Sequence, residues 1–530
     1  MKKEQVSQLK IEESHGEAFV VDETLSKKEV RKRQKELKQS QKHMMILQKK
    51  EQKAERAREK EQAKLENEKK KINYFKKLQI IREETKKRKE IEKQEALEYD
   101  KRMSSIYKKQ KMPPWLRIDN AGMIYPPARQ RHWNFVYRIS AITKDEVNVD
   151  ALSQAIEDIL PRFPSFNVCL KKGLFWNYFE RAPRKLIPIR DLDFPCSPFD
   201  LSDSNANLIR VIYDTNKICF ECFHALSDGR GSLTFFNSLL GRYFEILGHE
   251  IKDNSMIMSY KDLPVAEELE DSFLKHANNE KTKRPKERAA YKIRGNNLDA
   301  GMVNSIVAEL SVNELKSIAK AHGCSLTVLL CASIGYVVYK KKKKSKKPVR
   351  ISVPIDCRTR FESKTLRNFS SYINIDVEGE DLTLGDCIDI FKTNFARIDK
   401  NFLLSNINAN VNLQKNPIIK IIPRFLKSFI MKNAFNYAGE NCQTLAISNI
   451  GAVAAPKGFD ELIDRYEVNL GRSGHNTKSI GVVSFNDKMT ITFSSNIEEN
   501  ETERDFILLL ASLGANVKVN SNRRDIYGGI

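Results

Sequence analysis

One long segment without proline or glycine limits what the first part of this 530-residue chain can fold into. The segment Leu25–Met112 is dominated by Lys, Glu, Gln and Arg, which are good helix formers. Pairs such as Glu66 and Lys70 stand four residues apart, the spacing at which opposite charges stabilise a helix. Apolar residues cluster only around 44–47 and 72–81, so no heptad pattern is sustained. The segment predicts a long, charged, solvated helix.

The net charge of the chain is concentrated in its first fifth. Residues 1–112 carry 34 of the 91 Lys and Arg residues and 21 of the 69 Asp and Glu residues, an excess of 13 out of a formal net charge of +22. Because both signs are mixed, the pattern is typical of a solvated helix and disfavours nucleic-acid binding. Weak self-association and contact with an acidic surface stay open for this coiled-coil-like extension, residues 1–112.

The composition disfavours several classes of protein. No run of about eighteen apolar residues is present, and residues 1–14 lack the apolar core of a secretory signal. The nine cysteines are odd in number and scattered, which favours reduced thiols over a disulfide framework. Cys219 and Cys222 stand three apart in a strand-like run, so their side chains point to opposite faces and no metal site is expected. We expect a cytoplasmic protein.

The charged helix is expected to end at Pro113, because proline cannot continue it. From there strand-like and helix-like segments alternate in two stretches, separated by the polar, lysine-rich segment 250–300. This alternation predicts an α+β protein: two α/β subdomains with mixed sheets, residues 113–300 and 301–530, preceded by the long charged helix.

Local signals mark several element boundaries within the two stretches. A turn at 214–216 separates two apolar runs and predicts a hairpin, and a helix is expected over 231–247. In the second stretch Ser311, with Glu314 three residues on, predicts a capping box at the start of a helix. Another helix is expected to begin after Ser325.

The sharpest local feature is His224, which follows a strand-like run and precedes Asp228-Gly229. This H-x-x-x-D-G pattern places an imidazole on a turn, and imidazole can accept a proton near neutral pH. Asp228 is suited to hold the turn, and Gly229 permits a tight backbone path. The alternative is a core histidine followed by an ordinary turn, and the pattern by itself does not separate the two.

Several further stretches of residues 113–530 stand in a recognisable order around this motif. They are Asp119-Asn120-Ala121, Ile124-Tyr125-Pro126, Pro161 to Phe166, Gly173 to Trp176, Val353 to Arg358, Thr365 to Phe369 and Ser448 to Gly451. Together with the motif they resemble the chloramphenicol-acetyltransferase-like superfamily, which includes condensation domains, and within it the bacterial alcohol acetyltransferase-like proteins. Phe223 replaces the first of the tandem histidines common there, and the plant-type D-F-G-W-G signature is absent.

The resemblance implies two similar subdomains that meet along a tunnel. In the implied mechanism His224 deprotonates an acceptor hydroxyl within this tunnel, and the hydroxyl oxygen attacks the thioester of acyl-CoA. Acyl-CoA is then a co-substrate and not a bound cofactor. Asp228 would form a structural salt bridge with Arg358, and Ser448 and Asn449 would donate to the developing oxyanion.

The resemblance further implies a small alcohol or lipid-like acceptor, acetyl as the transferred acyl group, and no metal. Two alternatives stay open. One is a condensation-type enzyme with a carrier-bound donor, and the other is a catalytically silent scaffold protein that acts through its basic N-terminal arm.

The stretch Pro417–Phe435 is both amphipathic and basic. A stripe of apolar residues at helical spacing usually marks a half-buried helix, which is the interpretation we favour here. The alternative is a helix that lies on a membrane surface and makes peripheral contact with lipid.

Overall fold

The computed structural model describes residues 97–129, 134–192, 194–252, 257–278, 280–282, 286–299, 301–342, 345–471 and 476–522, with 11–13, 18–20 and isolated positions between 32 and 86. The chain divides into two compact units, residues 1–75 and 76–530. The first contains the antiparallel strands β1 (Ile11–Glu13) and β2 (Ala18–Val20). Every described position from 32 to 109 is helical, as expected, and the rest of the predicted charged helix lies outside the described residues.

The second unit alternates strands and helices. Its strands are β3 (Trp115–Arg117), β4 (Val136–Thr143), β5 (Val168–Lys172), β6 (Asn177–Arg181), β7 (Ile189–Arg190), β8 (Ile209–Asp214), β9 (Lys217–Phe223), β10 (Asn304–Ser311), β11 (Val349–Asp356), β12 (Ser370–Val377), β13 (Leu445–Ala452), β14 (Ile463–Leu470), β15 (Lys478–Phe485), β16 (Lys488–Ser495) and β17 (Lys518–Ser521). Its helices are α1 (97–109), α2 (Tyr125–Ala128), α3 (Val149–Ile159), α4 (Gly229–Ile246), α5 (Ser272–His276), α6 (Val312–Ala321), α7 (Leu326–Lys341), α8 (Leu384–Ala396), α9 (Lys400–Lys415), α10 (Pro417–Ile421), α11 (Arg424–Ala438), α12 (Phe459–Leu462) and α13 (Glu501–Ser512).

The strands of this unit form three sheets. A seven-stranded mixed sheet has the order β12-β11-β13-β15-β16-β10-β17, and a five-stranded mixed sheet has the order β14-β4-β9-β8-β7. The third sheet, β3-β6-β5, is antiparallel. The predicted α+β class with mixed sheets is confirmed. No single helix among the described residues is long and apolar enough to cross a membrane, and α6 and α7 reach that threshold only as a pair bent by 78°.

One strand joins the two halves of the unit. β14 belongs to the second half of the sequence, yet it pairs antiparallel with β4 at the edge of the five-stranded sheet. Its neighbour in sequence, β15, lies in the seven-stranded sheet, and the two sheets approach closely there. A Cβ added at Gly481 of β15 would lie 2.2 Å from the carbonyl oxygen of Val468 in β14. Only glycine therefore allows this contact between the sheets.

Most long helices begin at a side chain that accepts a hydrogen bond from the first turn. These N-caps are Asn148, Asp228, Ser311, Ser325, Thr383 and Asp399. The predicted cap at Ser311 forms, but the second half of the expected capping box is not observed. Glu314 instead accepts hydrogen bonds from the backbone and side chain of Asn516, 2.9 and 2.7 Å away, so a tertiary contact replaces the local one.

The last turns of the charged segment are less solvated than the sequence suggests. Tyr99, Met103 and Tyr107 of α1 are buried. Both tyrosine hydroxyls accept from Asn167 Nδ2, at 3.0 and 3.2 Å. Three residues at helical spacing therefore anchor α1 to the residues just before β5.

Two of the elements that were not predicted from the sequence are β12 and α9. β12 shows the alternation of Ile373, Ile375 and Val377 with outward-facing residues, a signal of period two that would have identified it. Helix α9 is rich in asparagine, a poor helix former, and is stabilised by the packing of Leu403, Ile407 and Val411 against a small cluster of buried residues.

Candidate active site

His224 stands at the end of the central hairpin of the five-stranded sheet. Strand β9 ends at Phe223, and the backbone N–H of His224 donates to Phe135 O at 2.8 Å. The imidazole stacks on the ring of Tyr125, with centroids 4.6 Å apart, and meets the edge of Tyr137 at 5.0 Å. The residue as a whole is half-buried, and protein surrounds the ring.

A short chain of hydrogen bonds sets which ring nitrogen carries the proton. Asn368 Nδ2 donates to Asp119 Oδ2 at 3.2 Å, so Asn368 Oδ1 is the atom that faces His224 Nδ1, 3.1 Å away. Since a carbonyl oxygen only accepts, Nδ1 must carry the hydrogen. The neutral ring is therefore the Nδ1–H tautomer, and its Nε2 atom has the free lone pair that a general base needs.

Burial sets the direction in which the pKa of His224 moves. Removal of the ring from water disfavours its charged form and lowers the pKa below the usual value for histidine. A hydrogen bond to the residue's own backbone, the charge of Asp228 and the hydrogen bond to Asn368 act in the opposite sense, but burial outweighs them. At neutral pH the ring is consequently held in its neutral form.

Asp228 is engaged away from the imidazole. It caps α4 by accepting from Gly231 N at 3.1 Å, while its other oxygen accepts from Arg358 Nη1, Phe369 N and Ser370 Oγ at 2.9, 2.7 and 2.9 Å. Burial alone would raise its pKa, but the guanidinium and these donors hold the pKa below its ordinary value. The carboxylate therefore stays charged and holds the turn, and it is bonded to the residue named as its partner in the sequence analysis.

Gly229 was expected to be needed for a tight backbone path, and the structure does not support that explanation. Gly229 does not adopt a positive φ, so conformational freedom is not what the position requires. A Cβ there would lie 3.3 Å from Ile450 Cδ1, a contact that a small shift relieves. Gly231 is far more constrained, since a Cβ would lie 2.0 Å from Leu366 O and 2.4 Å from Ser227 Oγ. Sequence reasoning missed this second glycine.

Ser448 and Asn449 lie on β13, which approaches the motif through Ile450. Asn449 Nδ2 donates to Thr327 Oγ1 at 3.2 Å, and its Oδ1 accepts from Gly451 N at 2.9 Å across an irregularity in the strand. These bonds hold the amide toward α7, not toward the imidazole. The oxyanion role of the two residues stays a prediction.

The structure joins residues that no local pattern connects. Asn368 is 144 positions from His224 and 249 from Asp119. Both Asn368 and Asp119 stand in stretches that carry the family resemblance, but nothing in those stretches indicates their link to the imidazole. Burial and the nearby Asp271 raise the pKa of Asp119, against the opposing effect of Arg367.

Other features of the described residues lie outside this site. A groove of about 730 Å³ between α6, α7 and α8 contains none of the predicted site residues. Cys219 and Cys222 are buried in β9 with free thiols, and no group of three or more His, Cys, Asp or Glu among the described residues is arranged to hold a metal ion. The predicted tunnel stays an expectation.

Comparison with known proteins places the fold. No protein-family model and no curated protein matches the chain. Among solved structures, F. sporotrichioides TRI101 complexed with coenzyme A and T-2 is 10% identical, with a TM-score of 0.52 over 76% of this chain and 99% of that one. Polyketide synthase associated protein 5 from Mycobacterium tuberculosis is 15% identical, with a TM-score of 0.49 over 76% and 99%.

A condensation domain is among the similar structures as well. The first condensation domain of the calcium-dependent antibiotic synthetase, in complex with a substrate analogue, is 11% identical, with a TM-score of 0.49 over 76% of this chain and 99% of that one. The chain shares its fold with TRI101, the one of these structures whose TM-score exceeds 0.5. At these identities the comparison establishes the fold and leaves the chemistry to the site.

Proposed function

We propose that this protein is an acyltransferase that moves an acyl group, most simply acetyl, from acyl-CoA to the hydroxyl of an alcohol. The observation that carries the proposal is the state of His224. Its Nδ1–H is held by Asn368 at 3.1 Å, its Nε2 keeps a lone pair, and burial lowers its pKa so that the ring is neutral at physiological pH. A fixed, neutral imidazole on a half-buried residue is suited to general-base catalysis.

The proposed reaction needs no covalent acyl-enzyme. Nε2 of His224 removes the proton of the acceptor hydroxyl, and the oxygen attacks the thioester carbonyl carbon. The tetrahedral intermediate then expels the CoA thiolate, which takes the proton back from the imidazolium as the C–S bond breaks. The ester and free CoA are the products, and the base is regenerated.

Asp228 and Arg358 have an architectural role in this proposal. Their ion pair of 2.9 Å joins the start of α4 to the segment after β11, and so links the two halves of the molecule beside the base. Ser448 and Asn449 remain our proposed oxyanion donors, which would require Asn449 to turn part of its amide from Thr327 toward substrate.

The test is a panel of acyl-CoA donors and alcohol acceptors, followed by the release of free CoA thiol. We expect the wild-type protein to release thiol in an acceptor-dependent manner and His224→Ala to lose that activity by at least about a hundredfold. His322→Ala is the matched control, because His322 is an exposed residue at the end of α6. Thermal unfolding of both variants checks that the fold is intact.

Three results would contradict the proposal. Thiol release that is unchanged in a folded His224→Ala variant removes the base from the mechanism. Acyl transfer only to amines, or only from a carrier-bound donor, favours a condensation-type reaction, and silence of the wild type across the panel favours a scaffold protein.

A further inference from the structure

Helix α11 (Arg424–Ala438) contacts the rest of the protein through two cations as well as through Met431 and Phe435. The Nε atom of Arg424 donates to Gly173 O at 3.1 Å, and Lys427 Nζ donates to Phe175 O at 3.2 Å while lying over the ring of Trp176. Lys427 is only 4% exposed, and burial lowers its pKa. Two cations of this helix are therefore used to attach it to the loop between β5 and β6.

The opposite side of α11 is apolar and open. We call it the α11 face: Phe425, Leu426, Phe429, Ile430 and Tyr437. These side chains are between 44% and 81% exposed, and their spacing places them on one side of the helix. A surface helix normally turns such residues to the core. Met431 and Phe435 do pack inward, so α11 is half-buried as expected, but these five large apolar side chains stay on its outer side.

Exposed apolar side chains continue beyond this face. Leu174 is 76% exposed, and its carbonyl oxygen accepts from Arg424 N at 3.0 Å, so it lies at the first turn of α11. Phe175 is 42% exposed in the same loop, and Ile421 of α10 is 71% exposed. A contiguous apolar surface of this kind usually marks a site of interaction.

The segment of the chain that carries the α11 face has charges of one sign only. Residues 400–439 contain no Asp or Glu. They contain six basic residues, namely Lys400, Lys415, Lys420, Arg424, Lys427 and Lys432. Lys172, exposed at the end of β5, adds a further positive charge next to Leu174. Apolar and aromatic side chains bordered by cations are the pattern that binds the interface of an anionic bilayer.

We propose that the α11 face docks on an anionic lipid surface. The aromatic and aliphatic side chains of α11 insert at the level of the headgroups, and Lys415, Lys420 and Lys432 contact lipid phosphates and carboxylates. A protein partner would need acidic groups to match the same cations and a complementary apolar surface, whereas a bilayer supplies both without shape specificity.

Docking there would bring lipid next to the candidate active site. Helix α11 packs on α2, and Phe435 contacts the ring edge of Phe135 with centroids 5.6 Å apart. Tyr125 of α2 stacks on His224. If the proposed acyl transfer holds, an acceptor or acyl chain dissolved in the bilayer would lie near the base. The docking itself does not depend on that chemistry.

The experiment is co-sedimentation of the full chain with vesicles of phosphatidylcholine alone or of equal parts phosphatidylcholine and phosphatidylserine. The wild type should bind the mixed vesicles at least about tenfold more tightly than the neutral ones, and less tightly at high salt. The double variant Phe425→Ser/Phe429→Ser should lose at least about tenfold in vesicle affinity. Leu263→Ser/Leu508→Ser is the matched control, since both leucines are exposed away from α11, and it should bind like the wild type.

Several outcomes would overturn the proposal. They are absence of wild-type binding to mixed vesicles, and equal loss in the two double variants. A third is a concentration-dependent dimer, measured without lipid, that Phe425→Ser/Phe429→Ser abolishes, since the face would then join two copies of the chain. His224→Ala should bind vesicles like the wild type, so failure of the proposed chemistry and failure of docking are separable.

Discussion

Replacement of Asn368 by alanine tests how the base is held. The variant removes the acceptor that lies 3.1 Å from His224 Nδ1 and leaves Asp119 without one of its donors. A buried donor without its partner costs about 1–3 kcal/mol, and the freed ring can also adopt the unproductive tautomer. If that cost appears in the transition state, kcat falls about 5- to 150-fold, at about 1.4 kcal/mol for each factor of ten.

The pH dependence separates this role from a merely structural one. The hydrogen bond that the ring donates to Asn368 raises the pKa of His224, so its removal lowers that pKa further. The acidic limb of kcat, where the base becomes protonated, should therefore move to lower pH in Asn368→Ala. Asn368→Asp places an anion beside the ring and should move the same limb to higher pH.

The assay is thiol release as a function of pH, with Asn374→Ala as the matched control. Asn374 lies on β12, six positions further on, and its amide donates to Glu287 at 2.7 Å instead. Shifts of the acidic limb in the same direction in both Asn368 variants would refute the reasoning. So would an unchanged kcat in a folded Asn368→Ala variant.

Further predictions concern the turn that follows His224. Arg358→Ala leaves the buried carboxylate of Asp228 without its cation and should lower the free energy of unfolding in urea by about 3–5 kcal/mol. The pKa of Asp228 is depressed in the folded state. The carboxylate therefore contributes to the free energy of unfolding above its unfolded pKa, and this contribution is lost as the pH falls below about 4. Asp228→Asn should flatten the fall in stability in that pH range. Gly231→Ala, whose Cβ would meet Leu366 O at 2.0 Å, should cost at least about 3 kcal/mol, whereas Gly229→Ala should stay within about 1 kcal/mol, as thermal unfolding can show.

Local patterns predicted much of the secondary structure. The turn at 214–216 connects β8 and β9, Ser325 caps α7, and the apolar run before His224 is strand β9. Each prediction depends on spacing, turn residues or caps within a few positions, which act the same way in any fold. Local signals were incomplete where tertiary contacts compete, as at Glu314, whose carboxylate binds Asn516 instead of closing the capping box.

The candidate site likewise combines residues that a local motif predicts with residues that only tertiary contacts bring together. The motif identifies His224 and Asp228 because both stand on one short turn between a strand and a helix. Nothing within that turn indicates Asn368, which approaches from the other half of the chain, or the close packing that makes Gly231 necessary.

The amino-acid sequence by itself determined the charged helical segment, the two alternating α/β stretches and the turn that bears His224, because these follow from periodicity and caps along neighbouring residues. Only the tertiary structure decided that β14 joins the sheet of the first half, that Asn368 orients the imidazole, and that five large apolar side chains of α11 face outward. Such contacts join residues far apart in the chain, and their free energy depends on how whole sheets and helices pack, which no local pattern records.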